Sequence, residues 1–325
     1  MLLSLRFAKF CIEARARDSL LLPPYKGSCL RGALGHALQR VGCFCQSLGP
    51  ARVPDPNACP YHYVFEPVAA KRDGGPSGLR QIPQPFILEP PLEEKTDYSP
   101  GDTLAFDFVL VGRAIRYLPY FLTAFELMGI QGIGKGKGRY QVTKMLRVSA
   151  AGIATDLNLR DLSLDGDGHE PTMLRDLEQI QPRPAPFIDV GLHFLTPTRL
   201  KFDRHLCDSP EFHVVFRNLA RRLSLLSFFH CDGTWEERMS DAVKNAQAIR
   251  LVRNGLEWKD WRRYSNRQEK EMFLGGFTGH LGFHGELEPF WSHLLLGSYL
   301  HIGKGATFGL GKYEIKTSNS TAHNG

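Results

Sequence analysis

Apolar and polar residues follow two different periods along the first half of the chain. Residues 3–10 alternate with a period of two, which predicts a strand with one buried face. Residues 28–41 instead place apolar side chains every three or four positions, which predicts an amphipathic helix. After a long loop, the pattern predicts two strands, a helix and a closing strand over residues 85–89, 103–111, 117–128 and 140–148. The first half therefore has the order βαββαβ.

The second half of the 325-residue chain repeats that order. An apolar stripe over residues 210–228 predicts its first helix. The other predicted elements are a strand, a hairpin, a helix and a final strand, over residues 187–195, 257–264 with 272–283, 286–296 and 311–316. The order βαββαβ is that of the ferredoxin-like fold, in which two helices cover one face of an antiparallel sheet. The pattern thus predicts an α+β protein with two tandem ferredoxin-like, RRM-like domains.

Composition indicates where these domains begin and end. An acidic and glycine-rich run at residues 165–168 is followed by a proline-rich run at residues 181–186. Both compositions are typical of a linker. The predicted divisions are a first ferredoxin-like domain, a linker, a second ferredoxin-like domain and a flexible tail, over residues 1–148, 149–186, 187–317 and 318–325.

A glycine-rich loop closes each predicted domain. Residues 132–140 and 301–313 share an Ile-Gly-Lys-Gly core and a basic residue followed by tyrosine. Alternating glycines allow backbone N–H groups to face an anion, such as a phosphate, beside the lysine charges. The alternative is that both loops are helix C-caps followed by turns. A nucleotide-binding enzyme is disfavoured, because Gly136 stands where a Walker A loop needs Ser or Thr, and neither loop spells G-x-G-x-x-G after a strand.

Composition adds a moderate bias toward anionic partners. Lysine and arginine outnumber aspartate and glutamate by 40 to 34, which gives a formal net charge of +6. Hydrophobic residues make up 42% of the chain, as in globular proteins, and no apolar run reaches the length of a bilayer span. Residues 1–6 lead into the predicted strand without a basic leader region or a small-residue cleavage site, so we expect no secretion signal. Seven cysteines do not resemble a disulfide framework. We expect a cytoplasmic protein with reduced thiols.

Four metal-ligating side chains lie close together in the sequence: Cys43, Cys45, Cys59 and His62. Sulfur and imidazole ligands of this kind hold structural zinc. The Cys-x-Cys spacing is tighter than the usual two-residue gap, and cysteine is also a common small buried side chain. The sequence leaves both interpretations open. We expect no cofactor and no metal among the catalytic residues.

Three stretches together are similar to one family of RNA enzymes. They are the tail block at residues 297–311, the basic and aromatic run at residues 261–268, and residues 24–33 near the N-terminus. In this combination the chain resembles the CRISPR precursor-RNA-processing endoribonucleases of the RAMP superfamily. The resemblance implies metal-independent cleavage within the CRISPR repeat. The nucleotide's own 2′-hydroxyl then attacks the adjacent phosphate and leaves a 2′,3′-cyclic phosphate and a 5′-hydroxyl.

Histidine suits the proton transfers of such a reaction, because its ordinary pKa of about 6.5 allows either protonation state near neutral pH. In the resembled family the working histidine commonly lies on or near the first helix, and His36 is the only histidine on that predicted helix. It lies off the apolar stripe and is available to a ligand; the alternative is an ordinary exposed histidine. The resemblance also implies Lys26 as the cation for the phosphorane and Tyr25 as a hydrogen-bonding or base-stacking partner. His301, in the second glycine loop, is the rival base or a helix cap.

Basic and aromatic residues interleave over residues 258–267, which offers flat surfaces for bases beside charges for phosphates. The alternative is a half-buried strand whose aromatic side chains pack into the core. Together with the glycine loops and the first helix, this stretch supplies the predicted RNA-binding residues. They are Arg31, Lys135, Lys137, Arg139, Arg262, Arg263, Arg267, His301, Gly303, Lys304, Gly305 and Lys312.

The leading hypothesis is an endoribonuclease that converts precursor CRISPR RNA into guide RNAs. The alternative is a catalytically inactive RNA-binding RAMP subunit of a CRISPR effector complex. Both hypotheses predict the same fold, and the candidate acid–base group His36 favours the enzyme. The expected partners are the precursor CRISPR RNA repeat, the mature guide RNA and proteins of a CRISPR effector complex, with no membrane and no DNA partner.

Overall fold

The computed structural model divides the chain into two compact units. The first comprises Leu3–Met173 together with Leu225–Trp235, and the second comprises Leu174–Ser224 together with Glu236–Gly325. The structure describes residues 2–45, 59–68, 75–76, 79, 81–157, 170–203, 205–235, 239–260, 262–265, 270–273 and 275–317. Of these, residues 239, 262–265 and 270–273 are described by their backbone alone.

The first unit is built around a sheet whose central strand alternates buried and half-exposed side chains. Phe10, Ile12 and Ala14 of this strand are fully buried, because successive side chains of a strand point to opposite faces. The strands of the unit are β1 Arg6–Ala16, β2 Leu20–Leu21, β3 Phe86–Glu89, β4 Asp97–Tyr98, β5 Thr103–Val111, β6 Tyr140–Val148, β7 Ala154–Asp156 and β8 Thr172–Met173. The main sheet has the order β3-β5-β1-β6-β7, with β8 paired to β1, and β2 pairs separately with β4.

Helices supply the other half of the core of the first unit. They are α1 Gly27–Gly42, α2 Pro60–Phe65 and α3 Leu118–Gln131. The side chains that α1 buries recur with the period of a helix and are Leu30, Leu34, Ala37 and Leu38. Helix α3 stacks on the sheet through Phe121, whose ring lies 5.8 Å from the ring of Phe108 in β5. The opposite face of α1 is left for solvent or a ligand.

The second unit repeats this topology. Its strands are β9 Asp189–Thr198, β10 Leu200–Phe202, β11 His205–Cys207, β12 Arg250–Lys259, β13 Arg262–Ser265, β14 Lys270–Phe273, β15 Gly276–His284 and β16 Tyr313–Lys316. Its helices are α4 Leu174–Ile180, α5 Phe212–His230, α6 Met239–Asn245 and α7 Trp291–Leu300, and the end of α5 from Leu225 groups with the first unit. The main sheet has the order β12-β15-β9-β16. Short 3-10 turns lie at Leu2–Ser4, Gly112–Tyr117, Ala246–Ala248, Glu288–Phe290 and Ala306–Phe308.

The predicted βαββαβ order is confirmed in both halves. Each main sheet places the second, third, first and fourth strands of its βαββαβ set side by side, all antiparallel. The chain therefore contains two tandem ferredoxin-like domains. Within the described ranges, no helix combines the length and the apolar character that a bilayer-spanning segment requires.

The predicted strands differ from the observed ones in two places, at the first strand and at the predicted hairpin of the second half. Strand β1 continues to Ala16 rather than ending at residue 10, because alanines occupy buried positions in its second half and give a weak hydrophobic signal. The predicted hairpin of residues 257–264 with 272–283 consists instead of two ladders, in which β12 pairs with β15 and β13 pairs with β14. Strand β12 lies at the edge of its sheet with mostly exposed side chains, so no alternation marks its start.

Part of the predicted linker, residues 149–186, has regular structure. Strand β7 pairs with β6 and extends the first sheet. Helix α4 buries Leu174 and Leu177, which lie on the same face one turn apart. The unit boundary also differs from the predicted domain boundary, because the residues from Leu225 to Trp235 pack with the first unit. There His230 Nδ1 accepts a hydrogen bond of 2.9 Å from the Tyr63 hydroxyl.

Candidate active site

The first glycine loop follows α3 and packs on the short segment after β1. Gly132 and Gly134 have φ values of 78° and 72°, in the left-handed region that glycine enters without strain. A Cβ on Gly134 would collide with the carbonyl oxygen of Leu21. The Lys135 N–H donates to that same oxygen at 2.9 Å. Glycine at position 134 is therefore required by a close backbone contact within the unit.

The second glycine loop makes the equivalent contacts in its own unit. Gly303 and Gly305 have φ values of 78° and 83°, and a Cβ on Gly303 would collide with the carbonyl oxygen of Arg199, just after β9. The Lys304 N–H donates to that oxygen at 3.1 Å. The expectation that these loops turn their N–H groups toward an anion is corrected for Lys135 and Lys304, because both N–H groups donate to protein carbonyls. The side chains of both lysines are exposed.

The first loop also places a lysine at a cavity. Lys137 has a φ of 52°, and the missing Cβ of Gly132 leaves room for the Lys137 carbonyl group. The cavity measures about 490 Å³ and is lined by His36, Gln39, Arg40, Gln131 and Lys137. The first three of these follow one another at i, i+3 and i+4 on α1, and so form one face of the helix. Gln131 is the last residue of α3, next to the loop.

The cavity combines an imidazole with positive charge. Among the described residues that line it, Arg40 and Lys137 are cationic and none is a carboxylate. The Gln131 Nε2 atom is buried and makes no hydrogen bond within the described structure, so it retains an unused donor next to the cavity. An imidazole beside two cations and an amide donor can transfer a proton next to an anionic group. These groups suit the chemistry of a phosphate ester.

Two family models match different parts of the chain. Residues 5–162 match the family model of an N-terminal domain, AF_1859_N. Residues 192–313 match the family described as CRISPR-associated endoribonuclease Cas6. Residues 192–313 of the chain are therefore similar to the Cas6 endoribonuclease family. A sequence comparison with curated proteins found no match.

Solved Cas6 structures share the fold of this chain. A structure described as a partial Cas6-RT-Cas1–Cas2 complex matches at 14% identity with a TM-score of 0.61, over 100% of the present chain and 48% of that chain. The present chain thus spans about half the length of that relative, and 30% of the corresponding chain in the Cas6-RT-Cas1–Cas2 complex. A Cas6 product complex matches at 15% identity with a TM-score of 0.55, over 96% of this chain and 99% of that one. Thermus thermophilus Cas6 matches at 15% identity with a TM-score of 0.52 over the same shares.

The structure gives Lys26 a different role from the one that the resemblance implied. The Lys26 side chain is fully buried, and its ammonium group donates to the carbonyl oxygens of Glu93 at 2.8 Å and Pro24 at 3.2 Å. Burial lowers the pKa of this ammonium group, against the opposing effect of the Glu93 and Glu94 carboxylates. Tyr25 is half-buried, and burial raises the pKa of its hydroxyl. Neither residue lines the cavity with His36.

His301 also lies outside the candidate site. It is fully buried at the C-terminal end of α7, with a φ of 59°, and its Nδ1 lies 3.0 Å from the carbonyl oxygen of Leu310. The His301 carbonyl oxygen accepts a hydrogen bond from Arg222 Nε at 3.2 Å. Burial lowers the pKa of Arg222 to about 10. The structure therefore supports the capping alternative for His301, because a buried imidazole cannot reach a substrate in solvent.

Two predicted RNA-binding arginines are engaged within the first unit. Arg31 donates to Gln84 Oε1 at 3.0 Å and lies 5.1 Å from the centre of the Phe65 ring. Arg139 pairs with Asp18 through two contacts, Nε to Oδ2 at 2.7 Å and Nη2 to Oδ1 at 3.2 Å. The hydrogen bonds from Arg139 lower the pKa of the Asp18 carboxyl. An RNA contact would have to compete with these protein contacts.

Two other predicted RNA-binding residues, Lys304 and Lys312, have side chains that are at least partly accessible to solvent. Lys304 lies near Arg199 and Lys201, and desolvation together with these two charges lowers the pKa of its ammonium group. Lys312 is half-buried. Such a concentration of positive charge attracts anions.

The basic and aromatic stretch is only partly described. Arg262 and Arg263 lie in β13, where the backbone alone is described, and Arg267 lies outside the described residues. Trp258 is 41% exposed, and its indole N–H donates to Asp260 Oδ1 at 2.8 Å. This aromatic side chain is therefore exposed. The alternative interpretation, in which it packs into the core, does not hold for Trp258.

Three cavity residues were not among the predicted site residues: Gln39, Arg40 and Gln131, although the helix pattern places Arg40 one turn after His36 on the same side. A signal existed for the first two, because they follow His36 by three and four positions on a helix. Gln131 had no comparable signal, since its place beside His36 depends on how α3 packs against α1.

Proposed function

We propose that the chain is an endoribonuclease that cleaves precursor CRISPR RNA within its repeats. The observation that carries this proposal is the cavity of the first unit, which brings the imidazole of His36 beside the cations Arg40 and Lys137. The match of residues 192–313 to the Cas6 endoribonuclease family supports RNA as the substrate. The exposed lysines of the two glycine loops add positive charge for its phosphates.

The proposed reaction begins with removal of the proton from a 2′-hydroxyl, and we assign that step to His36. The 2′-oxygen then bonds to the adjacent phosphorus while the bond to the 5′-oxygen breaks, and the leaving oxygen takes up a proton from solvent. Arg40 and Lys137 offset the negative charge that builds on the phosphorane, and Gln131 donates to one of its oxygens. This route uses no metal ion and leaves a 2′,3′-cyclic phosphate and a 5′-hydroxyl.

The proposed partners follow from the same reaction. The substrate is the precursor CRISPR RNA repeat and the product is the mature guide RNA. Similar solved structures are described as a Cas6 product complex and as a Cas6-RT-Cas1–Cas2 complex. We therefore propose CRISPR proteins as further partners of this chain.

The proposal is tested by incubating the full chain with repeat RNA in EDTA and analysing the product ends by mass spectrometry. We expect one cleavage within the repeat, with a 2′,3′-cyclic phosphate on one product and a 5′-hydroxyl on the other. A 2′-deoxy nucleotide on the 5′ side of the scissile phosphate should abolish cleavage, because the nucleophile is gone, while binding persists. Cleavage of the 2′-deoxy RNA, or cleavage only after magnesium is added, contradicts the mechanism. Tight binding without any cleavage would identify an RNA-binding subunit instead.

A further inference from the structure

Four metal-ligating side chains meet at one end of α1, outside the cavity that contains His36. Cys43 directly follows the last residue of α1 and Cys45 comes two residues later, whereas Cys59 immediately precedes α2 and His62 lies in its first turn. Their sulfur and ring nitrogen atoms all lie within 4.8 Å of one another. Thirteen residues separate Cys45 from Cys59 in the sequence, so the two pairs of ligands meet only because the chain folds.

The separations of these atoms fit a tetrahedral metal ion. Bonds of about 2.3 Å to sulfur and about 2.0 Å to nitrogen place tetrahedral ligand atoms about 3.5 to 3.8 Å apart. The Cys43 Sγ atom lies 3.9 Å from His62 Nε2. Closure of the four side chains around an ion would bring the ligand atoms from within 4.8 Å to the separations of a tetrahedral site.

A carboxylate next to His62 orients its imidazole ring for metal binding. Its Nδ1 lies 3.4 Å from Oε2 of Glu66, which is four residues further along the chain and immediately follows α2. A carboxylate at this place favours the proton on Nδ1 and leaves the lone pair of Nε2 directed toward Cys43. Metal-bound histidines commonly have a carboxylate in this outer position.

The Cys59 sulfur is buried at the end of α1. Its thiol donates a hydrogen bond of 3.3 Å to the carbonyl oxygen of Gly42. Cysteine binds a metal as the thiolate, so metal binding would replace this hydrogen bond and release the thiol proton. Cys43, Cys45 and His62 are half-buried, so an ion can enter from that side.

We propose that Cys43, Cys45, Cys59 and His62 bind a structural zinc ion. Three thiolates and one imidazole complete its four-coordinate shell, which leaves no open position for a substrate and distinguishes the site from a catalytic one. Binding releases the thiol protons to solvent, and the ion joins the end of α1 to the start of α2. Because α1 also carries His36 and Arg40, the zinc holds the C-terminal end of the helix that forms the cavity.

The test is the zinc content of the full chain, measured by inductively coupled plasma mass spectrometry after dialysis in a reducing buffer. We expect about one zinc ion per chain. The Cys45→Ser and Cys59→Ser double variant should lose it, whereas the control Cys207→Ser, which changes a half-buried cysteine of the second unit, should retain it. Zinc well below one ion per chain in the wild type, or equal zinc in the wild type and the double variant, overturns the proposal.

A second measurement tests metal binding by these four side chains if the double variant does not fold. Wild-type protein with cobalt in place of zinc should show the absorption of a tetrahedral cobalt–thiolate centre. A spectrum without thiolate-to-metal absorption, or a disulfide between two of these cysteines in the protein as isolated, overturns the proposal. Neither measurement depends on RNA cleavage, so the outcome is independent of the proposed endoribonuclease activity.

Discussion

His36 is exposed on α1, while the next two residues, Ala37 and Leu38, are fully buried in the core of the first unit. A substitution at position 36 therefore removes the imidazole with little change in packing. We expect His36→Ala to slow single-turnover cleavage by about 10² to 10⁴, the usual contribution of one general acid–base group. The free energy of unfolding should change by about 0.5 kcal/mol or less. Single-turnover kinetics and chemical denaturation measure the two effects.

The matched control is His205→Ala, which removes an exposed histidine on β11 that does not line the cavity. Its cleavage rate should equal that of the wild type. If His36→Ala cleaves at the wild-type rate, or if both variants lose activity equally, the proton transfer belongs to another group.

The first glycine loop, as an element, contains a matched pair of positions. Gly134 and Gly136 have φ values of 72° and 82°, but an added Cβ would collide with the Leu21 carbonyl oxygen only at Gly134 and would meet open space at Gly136. We expect Gly136→Ala to cost about 1–2 kcal/mol of unfolding free energy, through the left-handed backbone alone. Gly134→Ala should cost about 1–3 kcal/mol more, because the loop must move away from Leu21. Urea denaturation of both variants measures the difference.

The same pair of variants distinguishes two reasons for glycine in this loop, the left-handed backbone conformation and the close contact with Leu21. Equal losses at the two positions would show that only the backbone conformation requires glycine, and that the contact with Leu21 contributes nothing. A larger loss at Gly136 would contradict the packing of the loop on the segment after β1.

On the scale of the whole molecule, each of the two units presents an exposed lysine on its glycine loop, Lys137 in the first and Lys304 in the second. If RNA contacts both units, each lysine neutralises one phosphate. We expect Lys137→Ala and Lys304→Ala each to weaken RNA binding and to reduce the slope of log K against log salt by about 0.7. The double variant should show the sum of the two reductions. Titrations at several salt concentrations measure the slope.

The control for these titrations is Lys244→Ala, which removes an exposed lysine that pairs with Asp241 on α6. Its slope should equal that of the wild type. A reduced slope for Lys137→Ala together with an unchanged slope for Lys304→Ala would confine the RNA to the first unit.

Local pattern determined most of the secondary structure of this protein. The helix predicted over residues 28–41 matches α1 within one residue at each end, and the strand predicted over residues 103–111 coincides with β5. Hydrophobic period is a property of neighbouring residues, so the sequence alone contains it. The repeated order of elements then implied the tandem ferredoxin-like domains. The same period placed His36 off the buried stripe of α1.

Only the tertiary structure decided which side chains share a site. Lys26 and His301 are residue types suited to the reaction, yet both are buried and engaged with backbone carbonyl groups. Lys137 and Gln131 lie next to the same cavity as His36 because the end of α3 and the loop after it pack beside α1. These contacts join residues that are far apart in the sequence. Hydrophobic period describes only a residue's own helix or strand, so it could not reveal them.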